Sequence, residues 1–252
     1  MAEDELENFR KAIAEDLRQL AVLHDREPDA GLIAAIREVD FPDNLALRPV
    51  SEAAEQSLKL MKDAVKELPE KPGRKDLDLL AVDFADIYLT HALQASPYES
   101  VWLDDDGLVM QQPMFDLREW YARYGLAAED WRTRSEDHLS LQLQFLAHLL
   151  DGVKGESKAL LQQAGEFMDE HLLMWLPEFA NRVAHRCSTP YFAGVSLVTW
   201  SWCETLRDAI AEILQQPRPD LEAIKREAEA QAQAALELTE EVAYVPGVAP
   251  SW

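Results

Sequence analysis

From Glu3 to His24 the apolar residues fall at Leu6, Phe9, Ile13, Leu17 and Leu20, steps of three and four that lie along one stripe of a helix. The same spacing recurs along most of the chain. Leu32, Ile33 and Ile36 follow Asp29, and Leu58, Met61 and Val65 follow Ser51, each a residue whose side-chain oxygen suits a helix cap. Pro42 and Pro49 mark residues 41–50 as a loop, and Pro69-Glu70-Lys71-Pro72-Gly73 ends the third helix. Leu77–Leu93 predicts a fourth, with Leu80, Phe84, Ile87 and His91 on one face and Tyr88 beside it. Asp104-Asp105-Asp106-Gly107 reads as a turn, and Phe115 to Tyr124 as a helix closed by Gly125.

Residues 126–135 break the periodicity and predict a boundary between an N-terminal helical part, 1–125, and a C-terminal one, 126–216. Leu139, Leu143, Leu146 and Leu150 then stripe a helix over 136–150, and Thr133-Arg134-Ser135-Glu136 fits a capping box at its start. Helices over 156–168 and 170–185 follow, the second holding Pro177, and then an aromatic one from Pro190 to Leu214 with Tyr191, Phe192, Trp200 and Trp202. Pro217-Arg218-Pro219 is a rigid break. Beyond it, 217–252 is expected to hold an extra polar helix capped by Asp220 and an extended tail. With no useful strand-period segment and no internal repeat, the predicted fold is all-α, a bundle of about nine to eleven helices.

Composition narrows the class. Nearly half of the 252 residues are apolar and seven are Trp, enough for a full core. The net charge of −23 disfavours nucleic acid and anionic membrane surfaces as partners, because phosphates need cations to replace their counterions. It favours a basic partner, or serves solubility alone. Cys187 and Cys203, sixteen residues apart, form neither a disulfide framework nor a zinc site. The acidic start Met1-Ala2-Glu3-Asp4-Glu5 lacks the basic and apolar regions of a secretory leader, and no apolar run reaches the roughly 20 residues of a membrane span. The expected location is the cytoplasm. No Arg-Arg pair occurs, so no twin-arginine export signal is expected.

Catalytic patterns are sparse. Gly152-Val153-Lys154-Gly155-Glu156-Ser157-Lys158 lacks the spacing of a phosphate loop and follows no strand. His138 and His148 stand ten residues apart, not the three or four of paired helical zinc ligands. Glu166, Asp169, Glu170 and His171 offer carboxylates and an imidazole that a second helix would have to complete. No cofactor and no metal is expected. The rival reading is a helical metal- or nucleotide-dependent hydrolase using His138, His148 and nearby acids.

Two stretches carry a different message. A Ser-Pro step breaks the fourth helix and opens Ser96-Pro97-Tyr98-Glu99-Ser100-Val101-Trp102-Leu103, two aromatics and a carboxylate on a short loop. About 35 residues on, Glu136-Asp137-His138-Leu139 opens an apolar helix. In this order and spacing the pair resembles the motifs of the redox-enzyme maturation chaperones (TorD-like proteins), the assembly proteins of trimethylamine-N-oxide, dimethyl-sulfoxide and nitrate reductases. The likeness covers roughly 75–215, and the segment after Pro217 has no counterpart in it.

The resemblance implies an all-α fold of two helical subdomains joined by a hinge, and a non-catalytic role. It implies a chaperone that binds the twin-arginine signal peptide or the body of a molybdopterin enzyme's catalytic subunit until its cofactor is inserted. On motif match, Pro97, Tyr98, Glu99, Asp137 and His138 would form the peptide site, with Tyr88 on the preceding helix. Independently, Glu99, Glu136 and Asp137 are carboxylates suited to guanidinium, and Tyr98 and Trp102 are rings that can stack on it. These residues are expected to flank a groove between the two stretches. A monomer and a dimer formed by exchanging helices across 126–135 both stay open.

Overall fold

A computed structural model describes residues 2–49, 51–129, 134–221, 223 and 226. The chain forms two compact units, Met1–Pro217 and Arg218–Trp252. The first is all helical, and among the described residues its one strand-like pairing is an isolated bridge between Tyr98 and His138. Of the second, only the start of the predicted polar helix is described, where Ala223 N donates to Asp220 Oδ1 at 3.0 Å. The expected extended tail lies outside the described residues.

Helix α1 (Glu3–Asp25) turns its buried stripe, including Leu6, Ile13, Leu17 and Leu20, onto α7 (Leu139–Ala147). It also meets α8 (Ser157–Phe167), so the start of the chain shares a core with its later helices. Part of the expected boundary at 126–135, residues 130–133, lies outside the described residues. Asp29 and Ser51 cap α2 (Ala30–Glu38) and α3 (Glu52–Glu67), accepting from Leu32 N at 2.7 Å and Ala54 N at 3.2 Å. α3 crosses α10 (Pro190–Leu214) so closely that a Cβ on Gly194 would lie 2.8 Å from Met61 Sδ and 2.9 Å from its Cα. α9 (Leu173–Arg186) covers another side of α10, and Trp175, Phe179 and Trp202 fill the core between these helices.

Among the described residues, three helices change pitch. α4 (Arg74–Phe84) runs into a π turn at Ala85–Leu89, α7 into one at His148–Gly152, and α8 into one at Met168–Leu172. The predicted separate helices 156–168 and 170–185 are therefore one continuous run, α8, π turn and α9, with Pro177 inside it. The fourth helix stops at Leu89 rather than Leu93. The helix expected over 136–150 starts later: His138 is its N-cap, accepting Ser140 N on Nδ1 at 3.1 Å, and residues 136–137 form a turn before it. Thr133, the expected cap, lies outside the described residues. The short α5 (Ser100–Leu103) and α6 (Gln112–Arg123) complete the order, α6 carrying Pro113 in its first turn and followed two residues on by Gly125, φ 70°. Among the described residues no helix is long and apolar enough to cross a membrane.

Candidate functional site

The two motif stretches are joined backbone to backbone. Leu139 N donates to Pro97 O at 2.9 Å and Glu99 N to Asp137 O at 3.2 Å, which sets Tyr98 opposite His138. Their rings meet edge to face with centroids 5.0 Å apart. Asp137 Oδ2 accepts Ser100 N at 2.8 Å and so holds the first turn of α5. The expected groove between the stretches is thus corrected: a pair of hydrogen bonds closes the space it would occupy.

Beneath the bridge lies a polar layer. Glu99, 1% exposed, accepts Gln142 Nε2 on Oε2 at 2.8 Å and shares a proton with His171 Nδ1 through Oε1 at 2.8 Å. Gln142 Nε2 also reaches Asp137 O at 3.1 Å. Burial pushes the Glu99 carboxyl up to about 7, the His171 hydrogen bond holding it from going further. Burial likewise drives His138 well below its ordinary value, so the ring is neutral, with Nδ1 accepting and the proton on Nε2. His24 is neutral for the same reason, its pKa lowered to about 3, and its nitrogens meet Tyr88 Oη at 2.6 Å and Thr199 Oγ1 at 2.9 Å. Tyr88 in turn packs against His138, with centroids 6.1 Å apart.

The expected site residues are therefore neighbours, with most of their polar atoms turned inward. Glu99, Glu136, Asp137, His138 and Tyr88 are buried. Glu136 pairs with Arg118 at 2.5 Å, and its backbone carbonyl accepts Tyr121 Oη at 3.1 Å. Tyr98 and Trp102 are only half-buried. Trp102 Nε1 donates to Ser96 O at 2.8 Å, and its ring carries the Arg182 guanidinium 4.3 Å from its centroid. An internal arginine already occupies the kind of aromatic platform that the sequence suggests for an external one.

Sequence reading named His171 only among possible metal ligands and missed Gln142; the two hold Glu99 from below. His171 sits in the π turn that displaces it from regular spacing. Asp83 also went unnoticed: it is fully buried and accepts Ser188 N, Thr189 N and Thr189 Oγ1 at 2.6–2.8 Å, fixing the entry to α10. Its buried place beside Phe84 was legible only as a charge within an apolar stripe.

The rival catalytic groupings come apart. His138 caps the start of α7 and His148 stands past its end, about 15 Å away along the helix axis. Asp169 is bound bidentately by Arg207 at 2.6–3.0 Å, Glu170 accepts Trp120 Nε1 at 3.1 Å, Glu166 accepts Gln162 Nε2 at 2.9 Å, and His171 faces Glu99. Among the described residues no three His, Cys, Asp or Glu are grouped to hold a metal. At the supposed phosphate loop, Glu3 Oε1 already accepts Ser157 N at 2.9 Å.

The two linked motifs thus lie within an all-helical unit. Residues 48–181 match the nitrate reductase delta subunit family. Chaperone protein TorD of Vibrio cholerae (strain O395) is 32% identical over 172 residues, 65% of this chain and 78% of that protein. TorD of Aliivibrio fischeri is 33% identical over 153 residues, covering 56% and 71%, and TorD of Vibrio parahaemolyticus is 24% identical over 208, covering 79% and 95%. The chain belongs to the nitrate reductase delta subunit family, as a redox-enzyme maturation chaperone, a role that makes and breaks no covalent bonds; it is not an enzyme.

Proposed function

We propose that this chaperone binds the twin-arginine signal peptide of a molybdopterin oxidoreductase catalytic subunit and keeps that subunit in the cytoplasm until its cofactor is inserted. The observation that supports this is the Tyr98–His138 pairing, which fixes the loop 96–103 rigidly and leaves Tyr98 and Trp102 half-exposed on a strongly acidic chain. In this reading Tyr98 and Trp102 touch the peptide. Pro97, Glu99, Asp137 and His138 hold the loop, while Tyr88 and Glu136 brace the residues behind it. A preformed aromatic edge loses little entropy on binding, and negative charge speeds the encounter with a cationic leader.

Isothermal titration calorimetry with the synthetic leader of a molybdoenzyme tests this. Binding is expected, weakened about tenfold by Tyr98→Ala with the helical circular dichroism unchanged. No binding, or equal binding by Tyr98→Ala, overturns it. The reading accommodates a monomer or a dimer exchanging helices across 126–135, which light scattering separates.

A further inference from the structure

Four large apolar side chains are exposed in one short segment after α5. Leu108 is 57% exposed, Val109 40%, Met110 36% and Phe115 46%. Such density in eight residues is costly in water and marks interaction surfaces on soluble proteins. The segment follows without a break on Asp104, Asp105 and Asp106, of which Asp105 and Asp106 are exposed.

The exposure is not that of a slack loop. Gly107 N donates to Asp104 O at 3.0 Å, and Gln111 N donates to Ser100 Oγ at 3.3 Å, which ties the far end of the loop back to α5. Between these ties Gly107 and Met110 both take left-handed backbone, φ 60° and 63°. The loop is therefore tied back to α5, the helix that carries Trp102.

Charge selects the occupant. A second copy of this chain would bring another net charge of −23 and its own three aspartates against these, and nucleic acid would be repelled outright. A greasy segment preceded by cationic residues meets both halves of the surface. We propose, resting on the signal-peptide reading above, that residues 104–115 take the apolar stretch of the leader on Leu108, Val109, Met110 and Phe115. Asp104, Asp105 and Asp106 face its cationic residues.

The test uses the full chain and a fluorescently labelled synthetic leader peptide, Arg-Arg followed by an apolar stretch, in anisotropy titrations at low and high salt. Two exposed triple variants are compared with the wild type: Leu108→Ser/Val109→Ser/Met110→Ser and Asp104→Asn/Asp105→Asn/Asp106→Asn. The first is expected to weaken binding by about tenfold or more at both salt concentrations. The second should weaken it at low salt only, flattening the salt dependence. If both triples bind like wild type while Tyr98→Ala weakens binding, the docking surface is overturned and the signal-peptide reading stands. A wild-type chain that does not bind the leader removes both. A wild-type dimer that the apolar triple converts to monomer would make the segment a self-association surface and overturn the proposal.

Discussion

Replacing Glu99 by Gln should stabilise the chaperone, and increasingly so as pH rises. The carboxyl is 1% exposed and titrates at about 7 rather than 4.5. Between those values the folded state holds a proton that the unfolded state has released. Its contribution is complete below pH 4.5 and is lost as pH rises through 7. At about 1.4 kcal/mol per pH unit, the whole interval is worth about 3 kcal/mol. A neutral amide escapes this loss: its NH2 can donate to His171 Nδ1 while its carbonyl accepts from Gln142 Nε2, replacing both contacts seen at 2.8 Å. Because the chain is near its isoelectric point at 4.5, the comparison belongs between pH 5.5 and 8.5, where about 2 kcal/mol of the effect falls. Urea unfolding followed by tryptophan fluorescence measures it as the stability difference, Glu99→Gln minus wild type, at each pH. His24 and His138 are buried neutral, and their contributions run the other way, present above about 6.5 and lost as pH falls. They are common to both proteins and cancel in the difference. A difference that stays flat across the range, or shrinks as pH rises, would refute burial as the cause of the Glu99 shift.

Gly194→Ala would stabilise an ordinary helix by about 1 kcal/mol. Here, with Met61 Cα 2.9 Å from the new methyl, it should lower stability by about 2 kcal/mol, read as a fall in thermal midpoint. Asp83→Ala removes three hydrogen bonds at the entry to α10 and should cost about 3 kcal/mol in urea unfolding. Asp169→Ala leaves the largely buried Arg207 guanidinium without its carboxylate, at a cost of about 3 kcal/mol or more in the same assay. An Arg207→Met/Asp169→Leu double variant should recover most of that stability, since an apolar pair of similar bulk needs no compensation for lost hydration.

The helices were legible because each depends on its own residues. A stripe such as Leu6, Ile13, Leu17, Leu20 has one way to be buried, and Asp29 and Ser51 cap helices through atoms three residues away. The two motifs were legible as stretches through their resemblance to a known family, and their residues do lie together. Whether those residues face water or each other was not legible, because that depends on partners far along the chain. Glu99 hydrogen-bonds His171, 72 residues on, and Asp137 binds the backbone of Ser100, 37 residues back, through one of its two oxygens. The sequence alone determined an all-helical, acidic chain and the two motif stretches that lie together in it. Tertiary structure decided that Glu99 is spent internally, and that Tyr98, Trp102 and the apolar run 108–110 keep exposed surface. Helical periodicity records which side of an element is apolar; only packing brings distant donors and acceptors close enough to pair, and so fixes which polar groups are left for a partner.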